Sequence, residues 1–167
     1  MQGVTNQSSK GIMKKIMIIA AAVMILSAAV SCERYEDGRP SKDVRTEFSR
    51  MYPDAWDIEW EFKGNMWEVS FETGTRPNGI DNEARFDMNG KWMQTVTDVF
   101  LTSVPQNIRD YFKASEFAAG QFRDDDADYV QTPQTNWYRF DIRLDGKDME
   151  VDVTEDGKVS QSTYGFW

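Results

Sequence analysis

The chain has 167 residues with 19 basic and 28 acidic side chains, a net charge of −9, one cysteine and no histidine. That balance disfavours binding to nucleic acid or to an anionic lipid surface. Without histidine the Ser-His-Asp and Cys-His constellations and the commonest transition-metal ligand are missing, so no zinc, haem or iron–sulfur site and no other cofactor is expected.

The first element in chain order is an apolar leader. Lys14 and Lys15 precede an uncharged run from Ile16 to Val30. Its length of about 15 residues matches a signal-peptide core and falls short of the roughly 20 that span a bilayer. Ala29-Val30-Ser31-Cys32 resembles a bacterial lipobox, with Ala29 where that motif prefers leucine. Residues 1–31 are therefore read as an upstream extension and a lipoprotein signal peptide starting at Met13, and Cys32 as the lipid-attachment residue. The bland alternative for Cys32 is a small buried hydrophobe. Two or three acyl chains would hold the protein to a membrane surface, where a single chain binds only marginally. Cleavage also removes Lys10, Lys14 and Lys15, which leaves the mature chain more acidic still.

Residues 32–40 are polar, with Gly38 and Pro40, and read as a flexible tether. Glu33, Glu36 and Asp37 resemble the acidic surface-export signal of some Gram-negative lipoproteins; a solvated linker is the other reading. Ser41 is placed to cap a short helix with Val44, Phe48 and Met51 on one stripe, and Pro53 marks its end. WDIEWEF then alternates, with Trp56, Ile58, Trp60 and Phe62 on one face and Asp57, Glu59 and Glu61 on the other. A two-residue turn at Gly64-Asn65 sets Phe62 opposite Trp67, Trp60 opposite Val69 and Ile58 opposite Phe71. After a longer loop, TGTRPNGIDN, comes the strand ARFD. A three-residue turn with Gly90 in the left-handed conformation then pairs Phe86 with Trp92 and Asp87 with Lys91.

The same order recurs. Ser103 is placed to cap a second helix with Pro105 in its first turn and Val104, Ile108, Tyr111 and Phe112 as its apolar stripe. The stretch RDDDADYV reads as a mobile acidic loop, and a hairpin turning at Asp145-Gly146 follows. Its register sets Ile142 opposite Met149, Phe140 opposite Val151 and Tyr138 opposite Val153, with Arg143 facing Asp148 and Arg139 facing Asp152.

FDMNGKW at 86–92 parallels VTEDGKV at 153–159, and MWEVSF parallels WYRFDI upstream of those turns. An internal duplication explains this economically. On these motifs the chain resembles the PepSY-like repeats of small envelope lipoproteins, whose fold is similar to that of beta-lactamase inhibitor protein. The resemblance implies an α+β fold of two tandem repeats, each a helix plus antiparallel sheet, over residues 41–100 and 101–167. It also implies a non-catalytic module that grips other proteins through a sheet surface and loops.

Three features are candidates for function. The polar face of the first half carries Asp57, Glu59, Glu61, Glu68, Glu72 and Asp87, with Glu61 facing Glu68 and Asp57 facing Glu72. Like charges directly opposite one another cost stability, so this face is a candidate surface for a cationic partner, the alternative being a solvated face softened by Arg85 and Lys91. Asp124, Asp126 and Asp128 are spaced like the opening of an EF-hand loop, but Tyr129 and Thr135 stand where its glycine and bidentate glutamate belong, so an EF-hand is rejected and no metal site is expected. The six tryptophans could form a sugar-stacking platform or simply pack. Trp56, Trp60 and Trp67 fall on the core face, whereas Trp137, Phe166 and Trp167 are more open.

The expectation is a lipid-anchored cell-envelope protein, at the outer membrane and facing the periplasm or the cell surface. It would bind or inhibit an envelope protein with a basic surface. A small-ligand or glycan binder is the alternative. An enzyme would need a carboxylate pair in a pocket with one pKa raised.

Overall fold

Alternation in WDIEWEF produces strand β2 (Trp56–Lys63), and its partner β3 (Met66–Thr73) follows after Gly64-Asn65, where φ is 54° and 69°. Two successive positive φ values are what a tight I′ hairpin requires, and glycine and asparagine tolerate them at little cost. The computed structural model describes residues 33–163. The leader, Cys32 and the terminal aromatics Phe166 and Trp167 lie outside the described residues.

Strands β4 (Ile80–Asp87) and β5 (Trp92–Phe100) continue the meander, and β7 (Asp126–Gln131), β8 (Asn136–Leu144), β9 (Lys147–Thr154) and β10 (Val159–Gln161) complete it. Two short strands, β1 (Arg34–Tyr35) and β6 (Gln121–Phe122), pair with β2 and β8. The result is one ten-stranded sheet in the order β1-β2-β3-β4-β5-β7-β8-β9-β10, with β6 beside β8. All pairs are antiparallel except β1 with β2. The halves meet in the ladder between β5 and β7, from Thr95↔Gln131 to Phe100↔Asp126.

Helix α1 (Lys42–Met51) starts as its sequence dictates, with Ser41 Oγ accepting from Val44 N at 3.3 Å. Val44 and Phe48 of α1 are buried against Trp60, Val69, Phe71, Ala84 and Phe86. Phe48 meets the Trp60 and Phe71 rings edge-on, at 5.2 and 5.0 Å between centroids. Helix α2 (Gln106–Lys113) buries Ile108 and Phe112 with Phe140, Ile142, Val151 and Val153. Because residues alternate along strands and face their register partners across them, both cores lie on the same side of the sheet. The fold is α+β, a large antiparallel sheet with two helices on one face. No helix among the described residues is long and apolar enough to cross a membrane.

The hairpin registers agree with the sequence at Phe62↔Trp67, Trp60↔Val69 and Phe86↔Trp92, and at all five pairs expected between β8 and β9. Several local expectations differ. Asp57 has φ 51° and marks a bulge, so Trp56 rather than Asp57 stands opposite Glu72 and the Ile58–Phe71 pair does not form. The bulge moves Trp56 off the core face, where it packs under the Arg76 guanidinium at 4.7 Å from the ring centroid. Ser103 ends a short 3₁₀ turn and caps nothing; Pro105 occupies the cap position of α2. Tyr111 is 37% exposed, outside the buried stripe. The stretch read as a tether instead carries β1, with Arg34↔Glu59 and Tyr35↔Trp60 in register, and Pro40 is buried. Asp126 and Asp128, read as a loop, lie in β7, where Ala127 and Val130 supply its buried residues.

Candidate functional site

With both helices on one side, the other side of the sheet is open. A groove of about 430 Å³ lies on it, lined by seven carboxylates: Asp57 and Glu59 from β2, Glu72 from β3, Asp81 and Glu83 from β4, Asp98 from β5 and Asp128 from β7. One basic side chain among the described residues shares the lining, Arg34 of β1, whose guanidinium reaches Asp57 at 3.3 Å and Glu59 at 3.0 Å. Glu59, Glu72, Glu83 and Asp128 arrive by the period-two alternation that puts Ile58 and Trp60, Phe71, Ala84 and Ala127 beside them in the cores, whereas Asp57 enters through the bulge.

Beside the groove the acids are neutralised by pairing. Glu68 is 3% exposed and is bridged by Lys63 at 2.7 Å and Arg85 at 2.8 Å; Lys63 also meets Glu61 at 2.8 Å, and Arg85 meets Glu83 at 3.1 Å. Burial alone would push Glu68 up, but the Lys63 hydrogen bond and the Arg85 charge outweigh it and hold its carboxyl below the ordinary range. Glu61↔Glu68 is indeed a like-charge cross-strand pair, and Lys63 lies between the two carboxylates.

Within the groove the balance runs the other way. Burial, with the Glu68 charge added, lifts Glu83 to about 6. Burial and then the Asp98 charge lift Asp128 to about 7, against the opposing pull of Arg139. Loss of hydration also raises Asp98, and Asp126 and Asp81 add to it. For Glu83 and Asp128, burial and the like charges around them outweigh the opposing pull of Arg85 and of Arg139. The groove thus gathers acidic groups from five strands in one concavity.

Of the residues singled out from sequence, Asp57, Glu59 and Glu72 line the groove. Glu61 and Glu68 belong to the paired network beside it. Asp87 stands apart at the end of β4, where its Oδ1 accepts from Asn89 N at 2.8 Å and Lys91 N at 2.9 Å in the turn that follows. Asp81, Glu83, Asp98 and Asp128 were missed as members of this face. The alternation was there to find in IDNEARFD and in DADYVQ, but the pairing of β5 with β7 has no local signature. Trp60 is fully buried, and Trp67 and Trp92 pack against its cluster. Cys32 lies outside the described residues.

The model of the family described as "Putative beta-lactamase-inhibitor-like, PepSY-like" matches residues 65–161. Solved structures with a similar fold include a BLIP-like protein from Bacteroides fragilis, at 22% identity and a TM-score of 0.65, covering 77% of this chain and 91% of that one. A protein from Bacteroides eggerthii described as "putative periplasmic" is 25% identical with a TM-score of 0.63, covering 75% and 89%. A DUF2874 family protein from Bacteroides uniformis is 22% identical with a TM-score of 0.64, covering 77% and 94%. No curated protein matches the chain by sequence. The family match spans more than half of the residues, and the chain belongs to the PepSY-like, beta-lactamase-inhibitor-like family.

Proposed function

We propose that this chain is a non-catalytic, lipid-anchored envelope protein that binds another protein through the open face of its sheet, with the acidic groove receiving a basic side chain of the partner. The observation that carries this reading is the concentration of seven carboxylates from five strands in one uncovered concavity. Charge of one sign in a concave site steers an oppositely charged partner and favours its retention. The inhibitor-like family and the periplasmic description of one structural relative support the class of function and the compartment. The leader supports attachment at Cys32, at the outer membrane facing the periplasm or the surface. The two helix-covered halves, 41–100 and 101–167, are read as tandem PepSY-like repeats sharing one sheet.

A crosslinking pull-down from membranes tests this reading, run with the native chain, a Cys32→Ser version and a Glu59→Lys/Asp81→Lys version. Both reversed side chains line the groove and neither is buried, so the fold should survive. A partner captured by the native chain and lost on charge reversal supports the groove. A partner retained by the reversed chain removes the groove from the binding surface, and equal capture by Cys32→Ser removes the need for the anchor.

A further inference from the structure

Strands β4 and β5 stay side by side only as far as Asn82↔Thr97. Beyond that rung β4 still pairs with β3 to Thr73↔Ile80, and β5 still pairs with β7 to Phe100↔Asp126. The sheet is therefore split at this end, between Ile80-Asp81 on one side and Asp98-Val99-Phe100 on the other. Asn82 sits at the fork: its Nδ2 donates to the Ile80 carbonyl at 2.7 Å and to Thr73 Oγ1 at 3.0 Å, while its Oδ1 accepts from Thr97 Oγ1 at 2.8 Å. The side-chain amide satisfies groups of both strands at the point where they part.

The split opens a notch of about 300 Å³ lined by Ile80, Val99 and Phe100 and rimmed by Asp81, Asp98 and Asp126. Phe100 is 67% exposed and Ile80 49%, the first of these the most exposed large apolar side chain among the described residues. Exposed apolar surface gathered in a concavity with a polar rim is the usual form of a binding site. The notch shares Asp81 and Asp98 with the acidic groove, so the two concavities adjoin.

We propose that the notch is a second subsite of the same interface, and that it takes an apolar side chain lying beside a lysine or arginine on an exposed segment of the partner protein. The charge of the rim selects this occupant: an acidic or purely apolar segment would meet three carboxylates, whereas a neighbouring cation reaches Asp81 and Asp98 while its apolar companion covers Ile80 and Phe100. A small volume suits one or two side chains, not a folded element. This inference rests on the binding reading above and specifies the partner's chemistry.

A random peptide library panned against the full chain, and against Phe100→Ser and Ile80→Ser versions, tests it. Both side chains are exposed, so the substitutions leave the cores intact. The expected result is enrichment of peptides with an apolar residue within two positions of Lys or Arg. The serine versions should weaken those peptides on the order of tenfold, the scale set by one apolar group in a pocket, while basic peptides without the apolar residue bind all three chains alike. Basic enrichment with no apolar preference, or a preference untouched by Phe100→Ser, overturns the notch and leaves the groove standing. Absence of basic enrichment overturns both.

Discussion

Asp98 and Asp128 stand directly across from each other on β5 and β7, the two strands through which the halves of the sheet are joined. The seam of the molecule is thus made partly from a pair that repels when both members are ionised. Burial and the facing charge lift Asp128 from 3.8 to about 7. Since the folded value lies above the unfolded one, the folded chain keeps a proton that the unfolded chain gives up first. Stability from this residue is complete below about pH 4 and falls as pH climbs towards about 7. Asp128→Asn should remove that fall and raise stability at neutral pH by on the order of 1–3 kcal/mol. Urea unfolding of both chains across this range checks it; parallel curves for the two would sink the assignment.

The same protons must leave when a cation docks. A tri-arginine peptide should bind more tightly as pH rises through the values of Glu83 and Asp128, about 6 and about 7, because ionised carboxylates hold it better. Calorimetry in two buffers of different ionisation enthalpy should register proton release at pH values between those two. Affinity should also fall with added salt. A flat pH profile would show that these two groups do not face the ligand.

Glu68 gives the opposite slope. Its carboxyl is held low by Lys63 and Arg85, so its contribution is present above the ordinary glutamate range and is lost as pH falls through its depressed folded value. Glu68→Gln leaves two cations with a neutral acceptor and should cost roughly 1–3 kcal/mol, discounted from the fully buried case because Lys63 is 42% exposed. Thermal unfolding at neutral pH measures it, and the loss should shrink in acid.

Gly90 has φ 88°, and a Cβ there would come within 3.0 Å of the Asp43 backbone carbonyl carbon and 3.1 Å of Val44 N in the first turn of α1. Gly90→Ala should lower stability by roughly 1–3 kcal/mol, combining the left-handed backbone with the clash. Gly64→Ala, at φ 54° with open space around it, should cost less. Denaturation of the two variants side by side separates steric contact from backbone strain; equal losses would show that contact with α1 contributes nothing.

Much of the fold was written locally. The β8–β9 register could be read because apolar pairs and charge pairs agreed on both faces, and the Ser41 cap and the Gly90 turn because each depends on a few neighbouring residues. The bulge at Asp57 was invisible, since strict alternation through Trp56 suggested an unbroken strand. The groove was legible only in part: Asp57, Glu59 and Glu72 come from a hairpin whose register is clear on the turn side of the bulge, whereas Asp98 and Asp128 meet through a long-range ladder. The extended β4, Ile80–Asp87, was hidden by the turn-forming Gly79 and Asn82, one before the strand and the other wedged at the fork inside it.

Arg34 gives the groove an occupant of its own. Its guanidinium already bridges Asp57 and Glu59, and β1 holds it there by only two residue pairs. On the proposed reading, a partner's arginine arriving at that end exchanges one cation for another, with little net electrostatic gain, while at Asp98 and Asp128 it meets carboxyls that burial and neighbouring acids raise despite the pull of Arg139 on Asp128. If the groove binds as proposed, selectivity along it is graded: the β2 end acts as a tenanted site that discounts weak competitors, and the β5–β7 end sets the affinity. Removing the tenant by Arg34→Ser would turn a discriminating surface into a merely sticky one.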